Sequence, residues 1–112
     1  MLETGDVGYI ISGIILVCEH GASTSMLTDR MKDAAKQLGV DAVINAYPYT
    51  KLDELIDGAD IVLLGPQVRF KKKTFDAKYA EKGVEFMVID TVDYGMMNGE
   101  KVLKTALEHL KS

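Results

Sequence analysis

Cys18 is the only cysteine of the chain, and it lies where an apolar run meets a segment of small and polar residues. The run 14–17, Ile-Ile-Leu-Val, is typical of a buried strand, and the pattern that begins at Ser25 is typical of a helix. A thiol between a strand and a helix N-terminus faces backbone N–H groups and the positive end of the helix dipole. These groups stabilise anions, so one place could hold both a nucleophilic thiolate and a phosphate.

The segment after Cys18 has the composition of a phosphate-binding loop. Gly21 allows backbone angles that other residues avoid, the next residues are small, and three hydroxyl side chains add hydrogen-bond donors. We therefore predict Cys18 as the catalytic residue and the following residues as phosphate-binding: Glu19, His20, Gly21, Ala22, Ser23, Thr24 and Ser25. A buried structural cysteine is the alternative, because cysteine packs as a small apolar residue. The three hydroxyl side chains could also cap the helix, and this role is compatible with either a catalytic or a structural cysteine.

The histidines do not predict a metal site. His20 and His109 lie far apart in the chain, and one cysteine cannot complete a zinc site with them. We expect no metal ion and no cofactor. His20 could act as a general acid or base or contact a phosphate, although a loop histidine is more often simply exposed, and His109 is expected on the surface of the last helix.

Composition restricts the class of protein. A chain of 112 residues with 47% apolar residues is expected to form one globular domain. Its net charge of −4 argues against a nucleic-acid partner, which would require a basic surface. A single cysteine cannot form an internal disulfide, which fits a reducing cytosol. No apolar run approaches the ~20 residues of a membrane span, and the acidic N-terminus lacks the basic start of a signal peptide.

One cluster of positive charge stands out in this acidic chain. Arg69 and the three residues Lys71, Lys72 and Lys73 follow each other closely. Such a cluster is usually a solvated helix face. The alternative is contact with an acidic partner protein, since complementary charge accelerates encounter.

Strand-like and helix-like segments alternate along the chain. Residues 1–13, with three glycines and no clear period, are interpreted as an N-terminal extension, linker or tag remnant, and residues 14–112 as the domain. Tyr47-Pro48-Tyr49 is expected to break the second strand, Gly39 and Gly83 to end helices, and Asn98 to cap the last helix. The predicted strands are 14–18, 41–46, 60–64 and 84–89, and the predicted helices are 25–38, 52–58, 68–80 and the segment after Asn98.

This order predicts a single three-layer α/β domain. Alternating strands and helices form a parallel sheet with helices on both faces, and continuous apolar strands such as 61–64 indicate burial from both sides. We predict four strands in the order 2-1-3-4. The carboxyl ends of strands 1 and 3 then form the switch point where such sheets bind ligands. Cys18 lies there, with Gly65-Pro66-Gln67 as the facing loop.

Several segments of the chain together carry a resemblance to a known family. They are Cys18 with Gly21 and 23–27, then 46–48, 59–68, 88–90 and 94–95. These segments resemble enzyme IIB of the lactose/cellobiose/chitobiose branch of the bacterial phosphoenolpyruvate-dependent sugar phosphotransferase system, and the similarity extends over about residues 14–111. Glu19 and His20 depart from the family pattern, in which these positions are often small or apolar, and Glu19 is expected to point away from the phosphate.

The resemblance implies a phosphocarrier, which is a protein-phosphocysteine–sugar phosphotransferase. Cys18 would take a phosphoryl group from a phosphohistidine of enzyme IIA and give it to a sugar bound in the membrane permease, enzyme IIC. The implied sugar is a β-linked disaccharide such as cellobiose, chitobiose or lactose. The implied location is the cytoplasm, at the inner face of the membrane through IIC, without insertion into the membrane.

Other classes of cysteine or phosphate protein fit less well. A low-molecular-weight cysteine phosphatase needs an arginine six residues after the cysteine, and this chain has Thr24 there. It also uses an aspartate before a proline, which neither Asp90 nor Asp93 provides. A response-regulator receiver would need an acidic cluster near position 18, and a redox switch would lack a resolving cysteine.

Overall fold

The computed structural model describes residues 10–19 and 22–111, and within them the four predicted strands form one parallel sheet. In spatial order the strands are 2-1-3-4, so the predicted topology is confirmed. The two central strands are therefore the first and the third. The strands are β1 (Ile10–Cys18), β2 (Asp41–Pro48), β3 (Ile61–Leu64) and β4 (Glu85–Val88).

Helices and short 3-10 segments connect the strands. Gly39 ends the first helix with a φ of +71°, as predicted from the glycine after the apolar stripe. The helices are α1 (Ala22–Leu38), α2 (Leu52–Leu55), α3 (Lys72–Lys78), α4 (Thr91–Gly95) and α5 (Gly99–Lys111), and the 3-10 segments are Tyr49–Lys51, Ile56–Gly58, Pro66–Lys71 and Ala80–Lys82.

The sheet separates two apolar cores, which gives the three predicted layers. In β1, Ile14 and Leu16 point to the face covered by α1 and α5, whereas Ile15 and Val17 point to the face covered by α2 and α3. All four residues of β3 are buried, because this central strand is covered on both faces. No helix in the described part of the chain is long and apolar enough to cross a membrane.

The first two strands are longer than predicted. β1 begins at Ile10, and Ile10 and Ile11 pair with the first two residues of β2 before the register shifts ahead of Ile14. β2 continues through Tyr47 and Pro48, which were expected to break it. Pairing with β1 therefore overrides the local turn signal. The interpretation of residues 1–13 as an extension stays a prediction for residues 1–9, which lie outside the described residues.

Two helical regions also differ from the expectation. The segment 68–80 divides into a 3-10 part and α3, with non-helical backbone angles at Val68. The short helix α4 was not predicted, and it begins because the Asp90 carboxylate accepts hydrogen bonds from the N–H groups of Val92 and Asp93. The predicted cap of α5 is confirmed, since Asn98 Oδ1 accepts from the N–H group of Lys101 at 3.2 Å.

Candidate active site

Cys18 is the last residue of β1, at the carboxyl end of a central strand. It is paired with Pro48 of β2, and on its other side the N–H group of Gly65 donates to the carbonyl of Val17 at 2.9 Å. Strand pairing on both sides therefore fixes the backbone that carries the thiol. The residue is 4% exposed, so the sulfur is enclosed by protein rather than presented on the surface.

The hydroxyl of Thr24 lies against this sulfur. Thr24 Oγ1 is 3.6 Å from Cys18 Sγ, and Thr24 is itself 0% exposed. A hydroxyl at this place can donate a hydrogen bond to a thiolate, and burial protects that interaction from competing water. Thr24, one of the seven residues predicted to surround a phosphate, thus has a side chain that the described structure places against the thiol.

The N-terminus of α1 lies closer to Cys18 than the sequence pattern predicted. The helix begins at Ala22 rather than at Ser25, so residues 22–25 form its first turn instead of a loop. The N–H groups of a first helical turn point beyond the helix end and favour anions. No acidic residue lies in this turn to compete with such an anion.

The other predicted phosphate-binding residues are either exposed or only partly described by the structure. Glu19 and Ser25 are exposed. His20 and Gly21 lie outside the described residues, and for Ala22 and Ser23 only the backbone, as part of α1, is described. Their role in phosphate binding stays a prediction.

Gln67 is a residue that the sequence analysis placed only in the facing loop. A Cβ added at Gly65 would lie 2.8 Å from Gln67 Oε1 and 3.5 Å from Cys18 Cβ. The amide oxygen of Gln67 and the side chain of Cys18 therefore both lie next to Gly65, and a side chain at position 65 would overlap the amide of Gln67. Its position directly after β3, at the switch point of the sheet, is the signal that could have identified Gln67.

His109 lies at the other end of the sheet. Its Nδ1 is 3.3 Å from Glu85 Oε2, and Glu85 begins β4 whereas Cys18 ends β1. The structure therefore separates this histidine from the thiol. Within residues 10–19 and 22–111, no three His, Cys, Asp or Glu side chains are grouped so that they could hold a metal ion.

A polar cluster ties α3 to α2 on the face opposite α1. The Tyr79 hydroxyl donates to Asp53 Oδ1 at 2.6 Å, and this hydrogen bond, followed by that from Lys78, holds the pKa of Asp53 below its usual value. The hydrogen bond with Asp53 likewise raises the pKa of Lys78. Burial is the main cause that raises the pKa of Tyr79, so its hydroxyl stays a donor at neutral pH.

The amino-acid sequence of the chain is similar to subunits of the PTS system. The sequence profile described as "PTS system, Lactose/Cellobiose specific IIB subunit" matches residues 13–105. The chain is 38% identical over 94 residues to the PTS system oligo-beta-mannoside-specific EIIB component of Bacillus subtilis, covering 84% of this chain and 91% of that protein. It is 42% identical over 98 residues to the PTS system galactose-specific EIIB component of Lactococcus lactis subsp. cremoris, covering 83% and 91%.

Two solved structures have the same architecture. The cellobiose-specific phosphotransferase IIB component protein from Borrelia burgdorferi is 44% identical with a TM-score of 0.72, covering 89% of this chain and 93% of that one. The lactose-specific IIB component domain from Streptococcus pneumoniae has a TM-score of 0.81 over 90% of this chain and 98% of that one. At 18% identity the latter likeness concerns the fold alone.

Proposed function

The chain belongs to the lactose/cellobiose-specific IIB subunits of the phosphotransferase system (PTS), which makes it a phosphotransferase, and from this premise we propose that Cys18 is its phosphoryl carrier. The donor is a phosphohistidine of the IIA protein, and the acceptor is a sugar bound in the IIC permease. The protein works on the cytoplasmic side of the membrane, where its contact with IIC holds it.

The observation that carries this proposal is the contact between Cys18 and the first turn of α1. The thiolate attacks phosphorus as the bond from phosphorus to the donor imidazole breaks, and the imidazole keeps that electron pair. N–H groups of residues 22–25 then receive the charged oxygens, and Thr24 Oγ1 stays beside the sulfur. In the second step a sugar hydroxyl attacks phosphorus and gives its proton to a base at the permease site. The phosphorus–sulfur bond breaks, and the thiolate keeps that electron pair.

Burial of the sulfur suits a carrier rather than a hydrolase. A phosphorylated cysteine must survive until the sugar arrives, so water has to be kept from the phosphorus atom. With Cys18 only 4% exposed, little water reaches the sulfur from the described side of the site. The position that would carry the arginine of a cysteine phosphatase is occupied by Thr24, which contacts the sulfur instead.

The sugar of the proposed reaction is a β-linked disaccharide such as cellobiose, chitobiose or lactose. The two curated relatives carry the names of different sugars, oligo-beta-mannoside and galactose, at similar identity to this chain. The phosphoryl site itself involves a cysteine, a hydroxyl and backbone groups, none of which discriminates between sugars. We therefore assign the choice of sugar to the permease.

Intact-mass measurement tests the proposal directly. The protein is incubated with phosphoenolpyruvate, enzyme I, HPr and each member of a panel of IIA proteins, and we expect one alkali-stable, iodine-labile phosphoryl group. Cys18→Ala should abolish it, whereas His109→Gln should not, because His109 lies at the opposite end of the sheet. Phosphorylation of a folded Cys18→Ala protein would refute the mechanism. Turnover of p-nitrophenyl phosphate by the chain alone would favour the phosphatase alternative.

A further inference from the structure

The basic cluster seen in the sequence forms an exposed surface around one aromatic ring. We call it the basic–aromatic patch and define it as Arg69, Phe70, Lys71 and Lys73, in the 3-10 segment after β3 and the start of α3. Phe70 is 68% exposed, and Arg69 and Lys73 are exposed beside it. A cluster of cations is unexpected on a chain with a net charge of −4, and an exposed large aromatic side chain often marks a contact surface.

Most neighbouring lysines have anionic partners, whereas none is seen for the patch among the described residues. Lys72 pairs with Asp76 at 2.7 Å, and Lys82 pairs with Asp57 at 2.9 Å. The described structure contains no salt bridge from Arg69, Lys71 or Lys73 to another described residue. The charge of the patch is therefore available to a second molecule.

Lys71 is held in place by aromatic rings rather than by a carboxylate. Its Nζ lies 4.7 Å from the ring centroid of Tyr49 and 5.5 Å from that of Phe70. These cation–π contacts orient the ammonium group and leave its charge unneutralised. Lys71 and the exposed ring of Phe70 are therefore in contact, and Arg69 and Lys73 are exposed at neighbouring positions of the chain.

The patch lies at the same end of the sheet as the thiol. The patch follows β3, whose carboxyl end lies beside that of β1. Its Lys71 lies over the ring of Tyr49. Tyr49 directly follows Pro48, the β2 residue opposite Cys18. α3, which continues from the patch, is fastened to α2 through Tyr79 and Asp53, so the surface rests on a packed support.

We propose that the basic–aromatic patch docks an acidic surface of the phosphorylated IIA donor, an inference that rests on the proposed function. Phe70 and Arg69 supply the aromatic and guanidinium anchors that are enriched in protein–protein contacts. The cations attract a donor that carries the negative charge of a phosphohistidine, and they accelerate its encounter. An anionic lipid surface is the less favoured partner, because three cations bind lipid weakly and the rest of the chain is acidic.

The test compares charge removal on and off the patch. Arg69→Gln/Lys73→Gln and the control Lys32→Gln/Lys36→Gln, on the exposed face of α1, each change the net charge by two, from −4 to −6. The second-order rate of Cys18 phosphorylation is measured with a phosphorylated IIA protein that loads the wild type, at low and high salt. The patch variant should be slower by about tenfold at low salt, with the difference shrinking at high salt, while the control stays near wild type.

The aromatic part of the patch is tested by equilibrium binding. Phe70→Ala should weaken the binding of the same IIA protein by about tenfold, as expected for a contact anchor. Met96 is 71% exposed and lies beside residues of α1 and α5, so Met96→Ala should not weaken binding. The rate measurement reports the contribution of charge to docking, and the binding measurement reports the contribution of the apolar ring.

The outcomes distinguish docking at the patch from the proposed function. If the wild type is phosphorylated and the patch variant reacts as fast as its charge-matched control, docking at the patch is refuted and the proposed function is not. Failure of every IIA protein to phosphorylate the wild type would refute the proposed function and the patch with it. Patch-dependent binding to phosphatidylglycerol vesicles without any effect on IIA binding would assign the patch to a membrane and overturn the proposal.

Discussion

Replacement of Thr24 by valine tests whether the contact with Cys18 serves phosphoryl transfer. Valine has nearly the shape of threonine, so Thr24→Val removes the hydroxyl 3.6 Å from the sulfur without opening a cavity. Because residue 24 is 0% exposed, no water can easily take the place of the lost hydroxyl. The substitution therefore removes the hydroxyl from the sulfur and leaves the shape of the site nearly unchanged.

The expected loss of rate follows from the distance between Thr24 Oγ1 and the sulfur and from the burial of Thr24. Hydrogen bonds to charged groups contribute about 1.5–3 kcal/mol, and about 1.4 kcal/mol corresponds to a factor of ten in rate. A separation of 3.6 Å to a diffuse sulfur acceptor indicates the lower part of this range. We therefore expect Thr24→Val to slow phosphorylation of Cys18 by about 10- to 30-fold at neutral pH.

The assay is a rapid-quench time course with phosphorylated IIA, read by intact mass. Thr28→Val is a matched control, because Thr28 is also buried on α1 but its hydroxyl donates to the carbonyl of Ser25 at 2.6 Å. Both variants lose one buried hydroxyl, and only one of them loses a contact with sulfur. Phosphorylation of folded Thr24→Val at the wild-type rate, or equal slowing in both variants, would refute the role assigned to this hydroxyl.

Two further predictions concern the stability of the fold that holds the site. Gly99→Ala should lower the free energy of unfolding by about 1–3 kcal/mol, because a Cβ there would overlap backbone and Cβ atoms of Arg30 in α1. Gly95→Ala, where nothing lies within 4 Å, is the control in urea denaturation, and equal effects would contradict the packing argument. Tyr79→Phe should lower the melting temperature at pH 7 and lose this effect in acid. The lowered pKa of Asp53 means that its contribution is present above the ordinary pKa of 3.8 and disappears as pH falls through the lower folded value. A wild-type-minus-variant difference in melting temperature that is constant from pH 7 to about pH 2 would contradict this assignment.

The parallel sheet and its strand order could be predicted because their signals are local. Each strand is a short apolar run, glycines such as Gly39 mark helix ends, and alternating strands and helices leave few topologies. The same logic predicted Cys18 at the switch point of the sheet. None of these conclusions depends on a contact between distant side chains.

The errors occurred where contacts that a pattern of apolar residues does not register decide the structure. Residues 10–13 contain Ser12 and Gly13 and lack a clear period, yet pairing with β2 extends β1 to Ile10. Pro48 reads as a breaker, but the strand continues through it because it lies opposite Cys18. The helix α4 depends on the cap formed by Asp90, which a pattern of apolar residues does not register.

The sequence by itself determined that a lone cysteine ends a buried strand and precedes a helix, since residue types in adjacent positions specify both elements. Only the tertiary structure decided what surrounds that cysteine. α1 begins at Ala22 and directs Thr24 onto the sulfur. Pairing of β1 with β3 brings Gly65, 47 positions further along the chain than Cys18, into hydrogen-bond contact with Val17 next to the thiol-bearing residue. Sequence periodicity describes the face of each element, whereas the distances between elements arise from how their faces pack.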